Sequence, residues 1–145
     1  MRRVRIVACL LLALGALVSL SSSPAAAAEH SVVVIDVDGT IVPVIAQYIE
    51  RGIEYAERTG ATACVIRLDT PGGLLTATED IVSAIMNADV PVITYVSPKG
   101  AWAASAGTFI TVASHVAVMT PGTTIGAAHP VSGDGQEIPE YQLQK

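Results

Sequence analysis

The stretch SVVVIDVDGTIVPV, residues Ser31 to Val44, shows how this chain passes from strand to helix. Its first half is an almost continuous β-branched run, Val32–Val37, and such a run predicts a buried strand. The chain then turns at Asp38-Gly39, and Pro43 opens a segment of helical periodicity. The same order of strand, turn and helix recurs along the chain, so the sequence predicts an α/β fold built on a parallel sheet.

The remaining elements follow the same alternation. Apolar and charged residues alternate at helical spacing from Pro43 until Gly60 ends the helix. A second helix is expected to open with a capping box at Thr76-x-x-Glu79, and a third, of small residues, near 104–113. The further strands are predicted at Ala63–Leu68, Val92–Val96 and Val116–Met119. Strands and helices in this order predict parallel strands joined by right-handed crossovers.

Residues 1–28 have the features of a secretory signal peptide. Arg2, Arg3 and Arg5 precede a short apolar segment, and small residues lead to an Ala-x-Ala site before Glu29. We therefore expect residues 29–145 to form one domain outside the cytoplasmic membrane. An uncleaved N-terminal anchor is the alternative. The final residues, EYQLQK, carry no stop signal, which suggests that the domain is truncated at its C-terminus.

The net charge indicates which partners the chain can bind, and the cysteine content indicates the role of Cys64. After residue 28, thirteen acidic residues stand against five Lys and Arg, which leaves a net charge of −8. Because no basic stripe is present, we do not expect a nucleic-acid partner. Cys64 is the one cysteine beyond the leader and lies in an apolar run, so it is predicted to be a buried packing residue.

The opening strand also ends in a pattern that suggests phosphoryl chemistry. Asp36-x-Asp38-Gly-Thr has the spacing of a Mg²⁺-dependent phosphatase of the haloacid dehalogenase type, and Ser97-Pro98-Lys99 could supply its serine and lysine. Such an enzyme also needs a later strand that ends in paired acids. The strand Val116–Met119 leads instead into Thr-Pro-Gly-Thr. The phosphatase is therefore the less favoured alternative.

Two other segments point to acyl transfer. In RLDTPGG, residues 67–73, paired glycines follow a strand, so backbone N–H groups can face outward without a Cβ in the way. Such donors can stabilise an oxyanion, although an ordinary strand-to-helix turn has the same composition. In KGAWAASAGTFI, residues 99–110, Ser105 is surrounded by small residues at the start of a helix. It could be a nucleophile or a simple N-cap.

Taken in order, LDTPGG, AASAGTFI and PGTTIGAAHPV resemble the membrane-bound serine peptidase domain of the NfeD family. The resemblance extends from about Val32 to the end of the chain. That family is related to Clp protease and has a crotonase-like fold. The resemblance therefore implies an α/β domain of repeated β-β-α and β-α-β units with a parallel sheet.

The resemblance also implies roles for individual residues. Ser105 is the expected nucleophile. The oxyanion hole is expected from the backbone N–H of Ala106 with that of Gly72 or Gly73, the latter slightly favoured. Lys145, forty residues beyond the serine, fits the position of the general base in a Ser–Lys dyad. His129, 24 residues beyond the serine, is the alternative base.

By the same resemblance, the domain is a serine endopeptidase that cleaves hydrophobic segments of membrane-associated proteins, such as stomatin-like proteins. No cofactor and no metal are expected. A homo-oligomer, a dimer or larger, is expected, with membrane attachment through a region beyond Lys145. The alternative of another class is a catalytically inactive peptide-binding scaffold of the same fold.

Overall fold

The computed structural model describes residues 31–129, which form a parallel sheet, three helices and a second, smaller sheet. Lys145 lies outside these residues. The strands are β1 (Val32–Asp38), β2 (Ala63–Asp69), β3 (Val92–Val96), β4 (Trp102–Ala104), β5 (Val116–Met119) and β6 (Thr124–Gly126). The helices are α1 (Pro43–Thr59), α2 (Leu75–Met86) and α3 (Ala106–Ala113).

The main sheet has four parallel strands in the order β1-β2-β3-β5, which confirms the predicted parallel architecture. The register brings Asp38 beside Asp69 and Leu68 beside Val96. All four strands therefore end at one edge of the sheet. Chain segments that leave this edge carry the candidate site residues.

The core lies between one face of this sheet and the helices. Ile35, Ile66 and Val92 point into it and are at most 2% exposed. Gly52 of α1 lies directly over Ile35, because a β-carbon built on Gly52 would lie 2.3 Å from Ile35 Cδ1. Each helix buries four residues against this layer. Cys64 is also fully buried, as predicted.

The prediction that β1 is a buried strand was only half right. Ile35 and Val37 are buried, but Val32 and Val34 are 51% and 53% exposed. The reason is the face of the sheet: Ile35 and Val37 point toward the helices, whereas Val32 and Val34 point to the opposite face, which is not covered by a helix within residues 31–129. A run of valines cannot distinguish a strand covered on both faces from one covered on a single face.

The helices agree with their predicted positions but not with every predicted end. Pro43 opens α1 and Gly60, at φ 67°, closes it in the left-handed conformation. The predicted capping box at Thr76 was wrong. Leu74 occupies the N-cap position without a side-chain cap, and Thr76 lies inside α2. The helix begins earlier because Leu74 N–H is held by Ile41 C=O at 2.9 Å, which directs the chain into it.

The sequence did not predict β4 and β6. Each has three residues, and together they form a two-stranded parallel sheet that pairs Ala103 with Ile125. Three residues are too few to show strand periodicity. Pairing over 22 residues of chain is also invisible before the fold is known. The sequence β3-β4-α3 forms a β-β-α unit.

Candidate active site

Ser105 stands between β4 and α3 in a conformation that few residues with a side chain adopt. Its φ and ψ are 49° and −110°, and such backbone strain costs on the order of 1–3 kcal/mol. Ser105 occupies the N-cap position, but its side chain makes no cap hydrogen bond. Its hydroxyl has no hydrogen-bond partner anywhere in residues 31–129. The hydroxyl is therefore available for chemistry and does not serve the helix.

The turn after β2 orients two glycines differently. Gly72 uses both of its backbone groups: its N–H donates to Thr70 Oγ1 at 3.1 Å, and its C=O accepts from Ile41 N–H at 2.9 Å. Gly73 pairs with Ile41 in an isolated parallel bridge. The residues on either side of Gly73 make the hydrogen bonds of that bridge, so its own N–H has no acceptor within the described chain.

A backbone bridge brings this turn to Ser105. Thr70 N–H donates to Trp102 C=O at 2.7 Å, and Ala104 N–H donates to Thr70 C=O at 3.1 Å. These bonds join the end of β2 to β4. As a result, a β-carbon on Gly72 would lie 2.9 Å from Ser105 Cβ and 3.4 Å from Ser105 Oγ. The two segments that the sequence analysis singled out are direct neighbours.

Close packing beneath α3 maintains this arrangement. A β-carbon on Gly107 would lie 2.6 Å from Thr70 Cγ2, so only glycine lets α3 come this near to the turn. Thr70 itself is fully buried. The amide N–H groups of Ala106 and Gly107 belong to the first turn of α3 and have no intrahelical acceptor. Free amide donors therefore lie immediately after Ser105.

Of the two predicted bases, the structure describes only His129. His129 is exposed three residues beyond β6, and it makes no hydrogen bond with Ser105. Lys145 falls outside the described range. Lys99, in the Pro-Lys-Gly turn, is exposed, and its aliphatic chain lies near Gly122. His115 has a structural contact, because its Nδ1 accepts the N–H of Val92 at 3.1 Å.

A separate cleft lies at the edge where the strands of the main sheet end. It has a volume of about 590 Å³ and is lined by Asp36, Asp38, Arg67 and Lys99, among others, but not by Ser105. The hydrogen bond that Asp36 accepts from Arg67 lowers the pKa of the carboxyl group. In residues 31–129, no three His, Cys, Asp or Glu side chains are grouped to hold a metal ion. This geometry gives the phosphatase alternative no support.

Two residues near the serine were not anticipated from the sequence. Thr108 Oγ1 contacts both Ala103 and Gly126, and Gly126 C=O accepts the N–H of Ser105 at 2.8 Å. A threonine three residues after a candidate nucleophile was the available signal. Its meaning depends on β6, which the sequence did not reveal.

Comparison with known protein families identifies the domain. The family described as "NfeD1b, N-terminal domain" matches residues 31–142. The "Membrane-bound protease PH1510" of Pyrococcus horikoshii is 45% identical over 109 residues, which are 75% of this chain and 25% of that protein. The "Membrane protein NfeD1b" of Bacillus subtilis is 32% identical over 111 residues, 77% of this chain and 25% of that one. The chain thus spans about a quarter of the length of these relatives.

Solved structures of proteases superimpose on this chain. The 1510-N membrane-bound stomatin-specific protease, as a mutant with one serine replaced by alanine, superimposes with a TM-score of 0.74 at 42% identity, covering 79% of this chain and 58% of that one. A mutant with one lysine replaced by alanine, in complex with a substrate peptide, gives 0.75 at 42% identity, covering 79% and 55%. ClpP1 from Listeria monocytogenes gives 0.61 at 19% identity, covering 77% and 64%, and shows a shared fold.

The two relatives are named as membrane proteins. In this chain, none of the helices within residues 31–129 combines the length and the apolar character that a membrane crossing requires.

Proposed function

The chain belongs to the family of NfeD1b N-terminal domains, and on that basis we propose that it is the nucleophile-bearing part of a serine peptidase. The observation that carries this proposal is the relation of Ser105 to the glycine turn. An unpartnered hydroxyl on a strained backbone faces Gly72, whose β-position would lie 3.4 Å from Ser105 Oγ. The relatives named as proteases support the same activity.

The oxyanion hole is assigned to the N–H groups of Gly73 and Ala106. The N–H of Gly72 is engaged by Thr70, whereas that of Gly73 is free within the described chain. Ala106 contributes the first free amide of α3. In enzymes of this kind, removal of one such donor costs about 3–4 kcal/mol of transition-state stabilisation.

The reaction then follows the general course of nucleophilic acyl transfer. Ser105 Oγ adds to the peptide carbonyl carbon while its proton passes to the general base. The tetrahedral oxyanion accepts hydrogen bonds from the two amides, the C–N bond breaks, and the base returns the proton to the leaving amine. Water, activated by the same base, then hydrolyses the acyl-enzyme.

Lys145 is the proposed base, with His129 as the alternative. The Ser–Lys dyad is supported by the relative studied as separate serine and lysine mutants. A lysine base must be neutral near neutral pH, so its pKa has to fall from about 10.4 through burial in apolar surroundings. A histidine base would need no such shift.

The proposed substrates are hydrophobic segments of membrane-associated proteins, including stomatin-like proteins. This proposal is supported by the relative described as stomatin-specific. It is also supported by Leu74 and Leu75, which follow the glycine turn and are 53% and 64% exposed. A peptide could lie extended there and add main-chain hydrogen bonds. We place the domain on the extracytoplasmic side, in a homo-oligomer of a membrane-attached protein.

The test is cleavage of a hydrophobic peptide by the full-length protein and by the variants Ser105→Ala, Lys145→Ala and His129→Ala. Loss of activity in the serine and lysine variants, with His129→Ala active, supports the dyad. Loss in His129→Ala with an active Lys145→Ala assigns the base to the histidine. Asp36→Asn should cleave like the wild type, since its carboxylate faces the other cleft.

A peptide-binding scaffold is the second candidate, because Ser105 Oγ contacts no base within residues 31–129. A fluorophosphonate probe distinguishes the two functions. An activated Ser105 is labelled, and the label disappears in Ser105→Ala. A wild-type protein that neither cleaves peptides nor reacts with the probe would identify the scaffold.

A further inference from the structure

We propose that Thr108 is a positioning residue that holds Ser105 in its strained conformation, an inference that rests on the proposed role of Ser105 as nucleophile. Thr108 lies in the first turn of α3 and is half-buried. It does not contact the reacting hydroxyl. Its effect is exerted through Gly126, the last residue of β6.

The side chain of Thr108 joins both strands of the small sheet. Its Oγ1 lies 2.9 Å from Ala103 O and 2.7 Å from Gly126 O, and its single proton can be donated to either carbonyl. The same oxygen accepts the N–H of Gly126 at 3.1 Å. When the proton is donated to Gly126, the hydroxyl engages both backbone groups of that glycine; when it is donated to Ala103, the hydroxyl connects the N–H of Gly126 to β4.

Gly126 in turn holds the nucleophile. Its carbonyl oxygen accepts the N–H of Ser105 at 2.8 Å. No atom of residues 31–129 lies within 4 Å of the position that a β-carbon on Gly126 would occupy, and its φ is 142°. Side-chain packing at that position does not hold Gly126; its pairing with Ala104 links it to β4, and the Thr108 hydroxyl links it to α3.

Ser105 needs such a restraint because its backbone is strained. At φ 49°, a serine relaxes toward an ordinary conformation unless surrounding bonds prevent it. Loss of the Thr108 hydroxyl removes the hydrogen bond from α3 to the carbonyl that anchors Ser105 N–H, so that Gly126 is held only by its pairing with β4. The backbone of Ser105 can then rotate, and Oγ moves away from the Gly72-Gly73 turn.

The same helix supplies a matched control. Thr111 is buried, and its Oγ1 donates to Gly107 C=O at 2.6 Å, a bond within α3. Thr111→Val removes a threonine hydroxyl from the same helix but leaves the contacts of Ser105 and Gly126 intact. Thr108→Val removes the hydroxyl that binds Gly126, and Thr108→Ser keeps it.

The experiment compares the full-length wild type with these three variants in peptide cleavage and in amide hydrogen exchange. Thr108→Val should lower kcat by about 10- to 100-fold with KM within about twofold, because the change affects the reacting geometry more than binding. It should also speed exchange of the Ser105 amide by about tenfold or more. Thr108→Ser should restore both, and Thr111→Val should lower only the melting temperature.

Unchanged exchange at Ser105 in Thr108→Val, or an equal loss of kcat in Thr111→Val, overturns the proposal. The activity of the wild type distinguishes failure of this proposal from failure of the proposed function. If the wild type shows no serine-dependent activity, the peptidase assignment fails. The exchange of the Ser105 amide then still decides whether Thr108 holds that backbone.

Discussion

Gly72 and Ser105 approach so closely that a β-carbon on the glycine would lie 2.9 Å from the β-carbon of the serine. Gly72 is also at φ 124°, where a residue with a side chain is strained. Two separate requirements, for space and for backbone conformation, therefore demand glycine at this position. The contact links the turn after β2 to the start of α3.

Gly72→Ala should strongly reduce the activity of Ser105 as well as destabilise the domain. The added methyl group displaces the serine from the turn, and we expect a rate loss of about 100-fold or more, comparable to the loss of an oxyanion donor. Backbone strain should also lower the free energy of unfolding by about 1–3 kcal/mol. Fluorophosphonate labelling and urea denaturation measure the two effects.

Gly39→Ala is the control for backbone strain. Gly39 has a similar φ of 110°, but no atom of the described residues lies within 4 Å of the β-position. The substitution should lower stability to a similar extent and leave labelling of Ser105 intact. Equal labelling of the two variants would show that the contact between Gly72 and Ser105 has no catalytic consequence.

Gly107 and Thr70 should be energetically coupled. The β-carbon of Gly107→Ala would lie 2.6 Å from Thr70 Cγ2, so we expect a loss of about 1–3 kcal/mol from overpacking. Thr70→Ser removes the opposing methyl group and keeps the hydroxyl that binds Gly72. In a double-mutant cycle, the cost of Gly107→Ala should fall by at least half in the Thr70→Ser background. Additive losses would contradict the packing argument.

Stability should decrease at alkaline pH because of Cys64. Burial raises the pKa of its thiol from 9.0 to about 11. Between these values the unfolded chain releases the proton and the folded chain retains it, so the thiol's contribution is complete below pH 9 and is lost as the pH rises toward 11. The full loss amounts to about 2–3 kcal/mol.

Cys64→Ala isolates this contribution from the other groups that titrate in the same range. Urea denaturation at pH 8 and at pH 11 should show the wild type losing more stability than Cys64→Ala. A difference between the two proteins that stays constant over this interval would mean that the thiol titrates alike in the folded and unfolded chain.

Periodic features of the sequence predicted the large elements. The β-branched runs identified the strands β1, β2, β3 and β5, and Pro43 and Gly60 marked both ends of α1, because these signals are local to each element. The capping box at Thr76 failed because bonds from Ile41 to the preceding turn start the helix earlier. Local helix signals do not include such long-range contacts.

By itself, the sequence determined the alternation of strands and helices, the glycine turn and the small residues around Ser105, since each depends on residues adjacent in the chain. Only the tertiary structure decided how they meet. The backbone bridge between Thr70 and Ala103 brings Gly72 to Ser105, and the hydroxyl of Thr108 contacts Gly126 at the end of β6. These contacts join segments 18 to 33 residues apart. They depend on the main sheet, which brings the ends of its strands to one edge.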